Sequence, residues 1–311
     1  MLKWFRKFAV RFFVLAALAA ACAQAQQSAP ATAEQPPATA RRFLMWKVSS
    51  PTTTVYLVGS IHVGDSSMYP LPAGVESAFA ASKVLAVEIN IKNVDQSKAL
   101  QMVQEYGMYP GSDTLSQHIS KETSDALDDF CNKHGLPRDA LEKFKPWLVA
   151  ITIITIASRE AGEDASLGID MHFLNAVKEP QRIGELETVE FQLAIFATAT
   201  EDEQAALLAD ELKHMDQLKD TMHRIQSAYM SGDADRLQKV MDEENTGPKS
   251  LTKKLLDDRN VSMAGKVEGF LKGNEQIFVV VGAAHLVGDK GVVKLLQDKG
   301  YHVEQVVLAA K

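Results

Sequence analysis

The stretch that decides the fold is Val55-Tyr-Leu-Val-Gly-Ser-Ile-His62, a short apolar run that ends in a glycine and, three residues later, a histidine. The same arrangement recurs near the carboxyl terminus as Gln276-Ile-Phe-Val-Val-Val-Gly-Ala-Ala-His285. Such runs predict buried strands, because the glycine at the end permits a tight turn. Each histidine is therefore expected just past the carboxyl end of its strand, which is the edge where open α/β sheets bind ligands.

The two histidines have two possible explanations at this stage. Taken singly, either one is equally well explained as a hydrogen-bonded side chain in a turn. Taken together, two histidines on two such strands are placed to face one another across a single crevice.

A third candidate lies in the next predicted strand, Val84-Leu-Ala-Val-Glu88-Ile-Asn90, which carries one carboxylate in an otherwise apolar run. A buried glutamate has to be paired, protonated or bound to a metal. The alternative is an edge-facing or salt-bridged Glu88, and the sequence leaves the two open.

The amino terminus predicts export. Residues 1–25 combine a basic region with the apolar run Phe12 to Ala21 and an Ala23-Gln-Ala25 cleavage site, which is the pattern of a secretory signal peptide. Leu18-Ala-Ala-Ala-Cys22 is a loose relative of a lipoprotein box, but we favour cleavage after Ala25 and hence a periplasmic or secreted protein. Cys131 is then the single cysteine of the mature chain, and no internal disulfide is possible.

The composition describes a folded acidic domain. Of the 311 residues, 46% are hydrophobic, which suffices for a large core. Loss of the four basic residues of the leader changes the formal net charge from −7 to −11, so nucleic acid is not an expected partner. Apart from the leader, no segment is long and apolar enough to predict a transmembrane helix.

The order of the predicted elements gives the architecture. Residues 26–42 form a flexible tether rich in Ala, Pro, Gln and Thr, and residues 43–311 form a single domain. Strands are predicted at its start and finish, and Ser97 to Lys272 is mainly helical in periodicity. Within that region, the sequence predicts a buried core helix at Trp147 to Ala157, a long amphipathic stretch at Glu201 to Ser231, and a last helical pair at Ser250 to Arg259 and Val261 to Leu271. We therefore expect an α/β (α+β) fold, with a mixed central sheet built from both ends of the chain and a large helical insertion.

The chain resembles the TraB/GumN family, part of a superfamily that includes the Tiki metalloproteases. The resemblance extends from about Phe43 to Val306 and rests on the order and spacing of short motifs. These are Tyr56-Leu-Val-Gly-Ser-Ile-His62-Val, Leu71-Pro72, Leu85-Ala-Val-Glu88, Lys145-Pro-Trp147, Gly168-Ile-Asp170, Glu185-Leu-Glu187-Thr188, Ser231-Gly-Asp233, Arg259-Asn260, Val281-Gly-Ala-Ala-His285-Leu-Val-Gly288 and Gly300-Tyr301.

The resemblance implies a metal-dependent site and a fold similar to that of the erythromycin esterases. Its metal ligands would be His62, Glu88 and His285, and Arg259 would belong to the same group. From their residue types alone, Asp170 and Glu187 are expected to lie behind the metal ligands or to be structural, and not to bind the metal directly. Two imidazoles and one carboxylate suit a divalent Mn, Co, Zn or Fe ion better than Ca²⁺. Glu88 is either a ligand or the general base, and Arg259 is either a stabiliser of the developing oxyanion or part of an ordinary salt bridge.

Two functions of different class follow. The first is an exported metal-dependent hydrolase, most simply a peptidase, that activates a water molecule to attack peptide or protein substrates. The second is a binding or sequestering protein that keeps the same cleft for peptides without turnover.

Overall fold

The structure is a computed structural model that describes residues 41–244 and 246–308. The predicted signal peptide and almost all of the predicted tether lie outside these residues. Within them, no helix is long and apolar enough to cross a membrane. Cys131 is a buried free cysteine, and Cys22 lies outside the described residues.

Six strands form one mixed sheet in the described residues: β1 (Arg41–Ser49), β2 (Thr54–Ser60), β3 (Val84–Val87), β4 (Arg182–Glu185), β5 (Ile277–Gly282) and β6 (His302–Leu308). Their order across the sheet is β4-β3-β5-β2-β1-β6. β1 is antiparallel to β2 and β6, whereas the pairs β2–β5, β5–β3 and β3–β4 are parallel. The predicted mixed sheet, with strands from both ends of the chain, is confirmed.

The parallel strands of the sheet bring the candidate site residues to one edge. Every residue of β5 is buried, as expected for a parallel strand covered on both faces. β2 pairs with β5 from Val55 opposite Ile277 to Ser60 opposite Gly282, so the two Gly-x-x-His segments leave the same edge of the sheet. β3 lies on the other side of β5 and ends at Val87, which brings Glu88 to that edge.

The helices occupy the connections and the long middle of the chain. They are α1 (Ala73–Ala81), α2 (Gln96–Gly107), α3 (Lys121–His134), α4 (Pro146–Glu160), α5 (Ile169–Ala176), α6 (Val189–Ala197), α7 (Glu201–His214), α8 (Leu218–Met230), α9 (Ala234–Glu244), α10 (Lys249–Leu255), α11 (Asp257–Leu271) and α12 (Val292–Asp298).

Two large hydrophobic clusters hold these layers together. One surrounds the sheet, and the other lies within the helical middle around the buried face of α4. Trp147 is 1% exposed there, which confirms the prediction of a core helix from Trp147 to Ala157. Partly buried Val94 and Val189 pack against both clusters and join them.

Three boundaries differ from the sequence prediction. The amphipathic stretch Glu201 to Ser231 is divided into α7 and α8 by a 3-10 turn at Met215–Gln217. The predicted strand Val84 to Asn90 stops at Val87, so Glu88 follows the strand instead of lying within it. The break in the last helical pair falls at Leu256, whose backbone is not helical, and Arg259 therefore lies in the first turn of α11.

Candidate active site

The carboxyl edge of the parallel strands brings the three predicted metal ligands together. Glu88 Oε1 lies 4.0 Å from His62 Nε2 and 3.9 Å from His285 Nε2. Both distances are too long for hydrogen bonds. One carboxylate oxygen therefore faces a ring nitrogen of each histidine across a small space.

Gly282 borders that space. A Cβ atom added to Gly282 would lie 3.3 Å from His62 Nε2, 3.3 Å from Glu88 Oε1 and 3.5 Å from His285 Cδ2. The backbone N–H of Gly282 donates to Glu88 Oε1 at 2.6 Å. The glycine that ends β5 thus keeps the centre of the cluster open and fixes the oxygen that faces it.

Glu88 is held from the other side by two donors. Arg259 Nη2 donates to Glu88 Oε2 at 2.6 Å, and Gln192 Nε2 donates to the same oxygen at 3.2 Å. Burial works against the charged form of Glu88, but the neighbouring imidazoles, the Arg259 guanidinium and the Gly282 N–H lower its pKa to about 2. Among these neighbours, Arg259 is the one whose charge does not depend on pH, so it favours the ionised form of Glu88 whatever the state of the imidazoles.

Arg259 joins two buried glutamates. Its Nε and Nη2 donate to Glu187 at 2.9 and 2.7 Å, and its Nη1 donates to the Leu255 carbonyl at 3.0 Å. The side chains of Arg259 and Glu187 are each 3% exposed. Arg259 lies in the first turn of α11, and its buried guanidinium contacts both carboxylates at the edge of the sheet.

His285 is fixed by an amide. Its Nδ1 lies 2.6 Å from Asn260 Oδ1. Asn260 Nδ2 donates to the Lys290 carbonyl at 2.9 Å, which defines Oδ1 as the atom turned to the ring. The amide oxygen can only accept, so the His285 proton is on Nδ1 and Nε2 keeps its lone pair. Burial outweighs the attraction of Glu88 and lowers the pKa of His285 to about 4, so the ring is neutral.

His62 is fixed by a carboxylate. Its Nδ1 lies 3.0 Å from Asp170 Oδ1, which also accepts from the Ser60 hydroxyl at 2.5 Å. Packing around the ring lowers the pKa of His62, but Asp170 and Glu88 outweigh it and raise the pKa to about 9. Because the His62 side chain is 46% exposed, it keeps much of its hydration, and the attraction of the two carboxylates therefore raises its pKa overall. The cluster therefore reaches solvent at His62.

A close backbone approach places Asp170 beside His62. A Cβ atom on Gly168 would lie 2.5 Å from the His62 carbonyl oxygen, and the Ile169 N–H donates to the Ile61 carbonyl at 3.1 Å. Only glycine fits at this contact. α5 begins directly after it, with Asp170 in its first turn.

The site has members that sequence reasoning did not single out. The site predicted from the sequence does not include Gln192, and Asn260 appears in it only as part of the Arg259-Asn260 motif. Gln192 follows its N-cap, Thr188, by four residues in a helix whose one other polar residue is Glu190. At many helix starts, the side chain before the N-cap contacts the side chain four residues after the N-cap. Glu187 and Gln192 occupy these two positions, and this polar pair was the sequence signal for their contact.

The donor set fits a divalent transition metal in its chemistry. Each imidazole has its Nδ1 beside an acceptor, which leaves Nε2 as the ligand atom, and His62 would release its second proton on binding a metal. With neutral imidazoles, the carboxylates of Glu88, Glu187 and Asp170 outnumber Arg259 by three charges to one. One divalent cation would balance this buried charge.

The spacing is wider than a closed ligand shell requires. Two ligands about 2.1 Å from one tetrahedral ion lie about 3.4 Å apart. Glu88 Oε1 is 3.9 and 4.0 Å from the two Nε2 atoms, so the side chains have to draw together by about 0.5 Å. As the side chains stand, no group of three or more histidine, cysteine, aspartate or glutamate residues in the described part of the chain is close enough together to hold a metal ion.

Comparison with known proteins identifies relatives along most of the chain. Residues 44–305 match the TraB/PrgY/gumN family. The chain is 26% identical over 243 residues to the uncharacterized protein YbaP of Escherichia coli (strain K12), covering 78% of this chain and 87% of YbaP. YbaP of Shigella flexneri matches to the same extent.

A more distant relative adds to this comparison. An uncharacterized protein of Treponema pallidum (strain Nichols) is 20% identical over 204 residues, which cover 64% of this chain and 61% of that protein. No solved structure matches the chain. The names of these relatives state no activity, so the reaction has to be argued from the site.

Proposed function

The chain belongs to the TraB/PrgY/gumN family, and from the chemistry of its site we propose that it is an exported metal-dependent hydrolase that cleaves peptide bonds. One observation carries the proposal. His62 and His285 each present Nε2 towards Glu88 Oε1, while acceptor side chains occupy both Nδ1 atoms. Two oriented imidazoles and one ionised carboxylate are the donors that hydrolytic metal centres use.

His62, His285 and Glu88 are the residues that would hold the ion. When bound, such an ion supplies a Lewis acid for a carbonyl oxygen and lowers the pKa of a bound water towards 7. His285 and Glu88 are 4% and 8% exposed and form the floor of the site. His62 is the exposed member and lies on the side from which a substrate enters.

The contacts of Glu88 favour a ligand over a general base. A carboxylate with a pKa of about 2 is a weak acceptor for a proton at neutral pH. Its Oε2 already accepts from Arg259 and Gln192, so Oε1 is the atom available to a ligand. We therefore assign Glu88 to the ligand set.

The contacts of Arg259 favour a role in holding Glu88 over the oxyanion role that the sequence left open. Its Nε and Nη2 are occupied by Glu88 and Glu187, and its Nη1 donates to the backbone. An oxyanion donor has to point at the position where substrate charge develops. We propose instead that Arg259 keeps Glu88 ionised and oriented.

Metal analysis and a cleavage screen test this function. Purified protein is assayed for bound divalent metal and then incubated with a mixture of unstructured peptides, with and without added Mn²⁺ or Co²⁺. We expect cleavage that depends on metal and is abolished by EDTA and by His285→Ala. A protein that binds no divalent ion would contradict the proposal.

A third outcome supports the other function. A protein that binds metal and peptides tightly, and releases no new amino termini, is a sequestering protein with the same cleft. Export is tested separately by the intact mass of protein recovered from the periplasm or medium. We expect an amino terminus near Gln26, whereas a diacylated Cys22 would show lipoprotein processing.

A further inference from the structure

Gln192 is a buried amide between two buried carboxylates. It is 5% exposed, and its Nε2 lies 2.8 Å from Glu187 Oε2 and 3.2 Å from Glu88 Oε2. The amide nitrogen carries two hydrogens, one for each carboxylate. Gln192 thus ties Glu88, which faces the imidazoles, to Glu187, which does not.

The start of α6 places this amide. The Thr188 side chain accepts from the Phe191 N–H and fixes the first turn. Side chains before the cap and four residues after it then lie together, the arrangement that apolar residues use as a hydrophobic staple. Here the pair is polar, and it turns the Gln192 amide towards Glu187 and, beyond it, Glu88.

The donors around Glu88 fix the plane of its carboxylate and hence the position of the oxygen that faces the histidines. Oε2 receives Arg259 and Gln192, and Oε1 receives only the Gly282 N–H. Arg259 Nη2 is shared with Glu187 Oε2, so it restrains Glu88 less than an undivided donor would. A second donor on Oε2 further restrains rotation of the carboxylate.

An uncharged donor is also what the electrostatics require. A lysine or arginine at position 192 would satisfy the same oxygens and cancel part of the negative charge that attracts a cation. An aspartate or glutamate would repel both carboxylates. The amide donates twice and leaves the charge of the cluster unchanged.

We infer that Gln192 is a positioning residue that holds Glu88 with Oε1 towards His62 and His285. The inference rests on the proposed function in one respect, because it assigns the oriented oxygen to metal binding. The other part of the inference, that Gln192 and Glu88 are energetically coupled, does not depend on a bound metal.

The chain offers a closely matched control in Gln204. It too follows a threonine N-cap, Thr200, by four residues, is 5% exposed and donates from Nε2, but to the Ala199 carbonyl at 3.0 Å. Gln192→Met and Gln204→Met each remove one buried amide. We expect similar losses of thermal stability from the two variants.

The test is the Mn²⁺ affinity of the purified protein, measured by calorimetry. We expect Gln192→Met to raise the dissociation constant roughly 10- to 100-fold, as replacement of outer-shell partners generally does. Gln192→Asn keeps an amide on a shorter stem and should give a smaller rise, which covers the case in which Gln192→Met does not fold. Gln204→Met should leave the affinity within about twofold. An unchanged dissociation constant in Gln192→Met, or an equal rise in Gln204→Met, would overturn the inference.

A second measurement separates this inference from the proposed function. If the unaltered protein binds no Mn²⁺, Co²⁺ or Zn²⁺, the proposed metal-dependent function has failed, and the coupling is measured in metal-free protein. Urea midpoints are compared for Gln192→Met, Glu88→Met and the double variant. We expect the double variant to lose clearly less than the sum of the single losses, whereas Gln204→Met and Glu88→Met should add. Additive losses for Gln192 and Glu88 would show that Gln192 does not position Glu88.

Discussion

Asn260 Oδ1 lies 2.6 Å from His285 Nδ1 and fixes the proton of that ring on the side away from Glu88. Asp170 Oδ1 holds Nδ1 of His62 at 3.0 Å. Both rings are therefore held through Nδ1, His285 by a neutral amide and His62 by a carboxylate that also favours its protonated form. In both, Nε2 is the nitrogen that faces the common space.

Replacing the histidines tests whether they share one ion. We expect His62→Ala and His285→Ala each to remove most Mn²⁺ binding, measured by calorimetry, and the double variant to lose little more, because residues that act as a unit are non-additive. His302→Ala, whose side chain is 74% exposed, is the control and should bind normally. Independent, additive losses would indicate two separate weak sites.

Filling the space at Gly282 tests where the ion lies. Gly282→Ala places a Cβ 3.3 Å from both His62 Nε2 and Glu88 Oε1, so we expect metal affinity to fall roughly tenfold or more, as for other perturbations of the ligand surroundings. Gly265→Ala is the matched control, since a Cβ there meets nothing within 4 Å. It lies within α11 and should leave metal binding unchanged while stabilising the fold by about 0.5–1 kcal/mol. Normal metal binding by Gly282→Ala would place the ion elsewhere.

Removing Arg259 tests the buried network. Arg259→Ala leaves Glu88 and Glu187 buried without their cation, and we expect a loss of about 3–5 kcal/mol in the free energy of unfolding, measured with urea. The control is Arg182→Ala. Arg182 pairs with Glu275, but their side chains are 62% and 46% exposed, so its loss should be below about 1 kcal/mol. Equal effects of the two substitutions would mean that Arg259 does not stabilise the site.

A pH-dependent stability is expected from Glu211 in α7, remote in sequence from the candidate ligands. Burial, with a smaller contribution from Asp210, raises the pKa of Glu211 to about 7. A raised carboxyl pKa means that the folded protein retains a proton that the unfolded chain loses. The retained proton on Glu211 therefore contributes fully to the free energy of unfolding below the ordinary glutamate pKa. This contribution is lost as the pH rises towards 7.

Glu211→Gln is expected to remove that dependence. At pH 8 the variant should be more stable than the original protein by roughly 1–2 kcal/mol, a value reduced for partial solvent screening, and at pH 5 the two should differ little. Urea unfolding at both pH values gives the measurement. Glu122→Gln, at an exposed position of α3, is the control for the chemical change itself. A gain for Glu211→Gln that is the same at both pH values would rule out titration of Glu211 as its cause.

Much of the fold could be predicted from local sequence patterns. The runs before Gly59 and Gly282 became β2 and β5, and the apolar stretch from Trp147 became the core of α4. These features depend on residue types within a few positions of one another, which is what periodicity reports. His62, Glu88 and His285 could be placed at one sheet edge because the carboxyl ends of parallel strands meet there.

The sequence by itself determined which strands form around the site and which three side chains belong to it, but it placed the end of the strand before Glu88 three residues too late. Tertiary structure alone decided how those side chains are held. Gln192 reaches Glu88 across 104 positions, Arg259 reaches Glu88 across 171, and the Gly282 N–H meets Glu88 across 194. Such contacts have no local signature, because they depend on how α6 and α11 pack against the sheet. The orientation of the histidines, the charge of Glu88 and the exposure of His62 all follow from that packing.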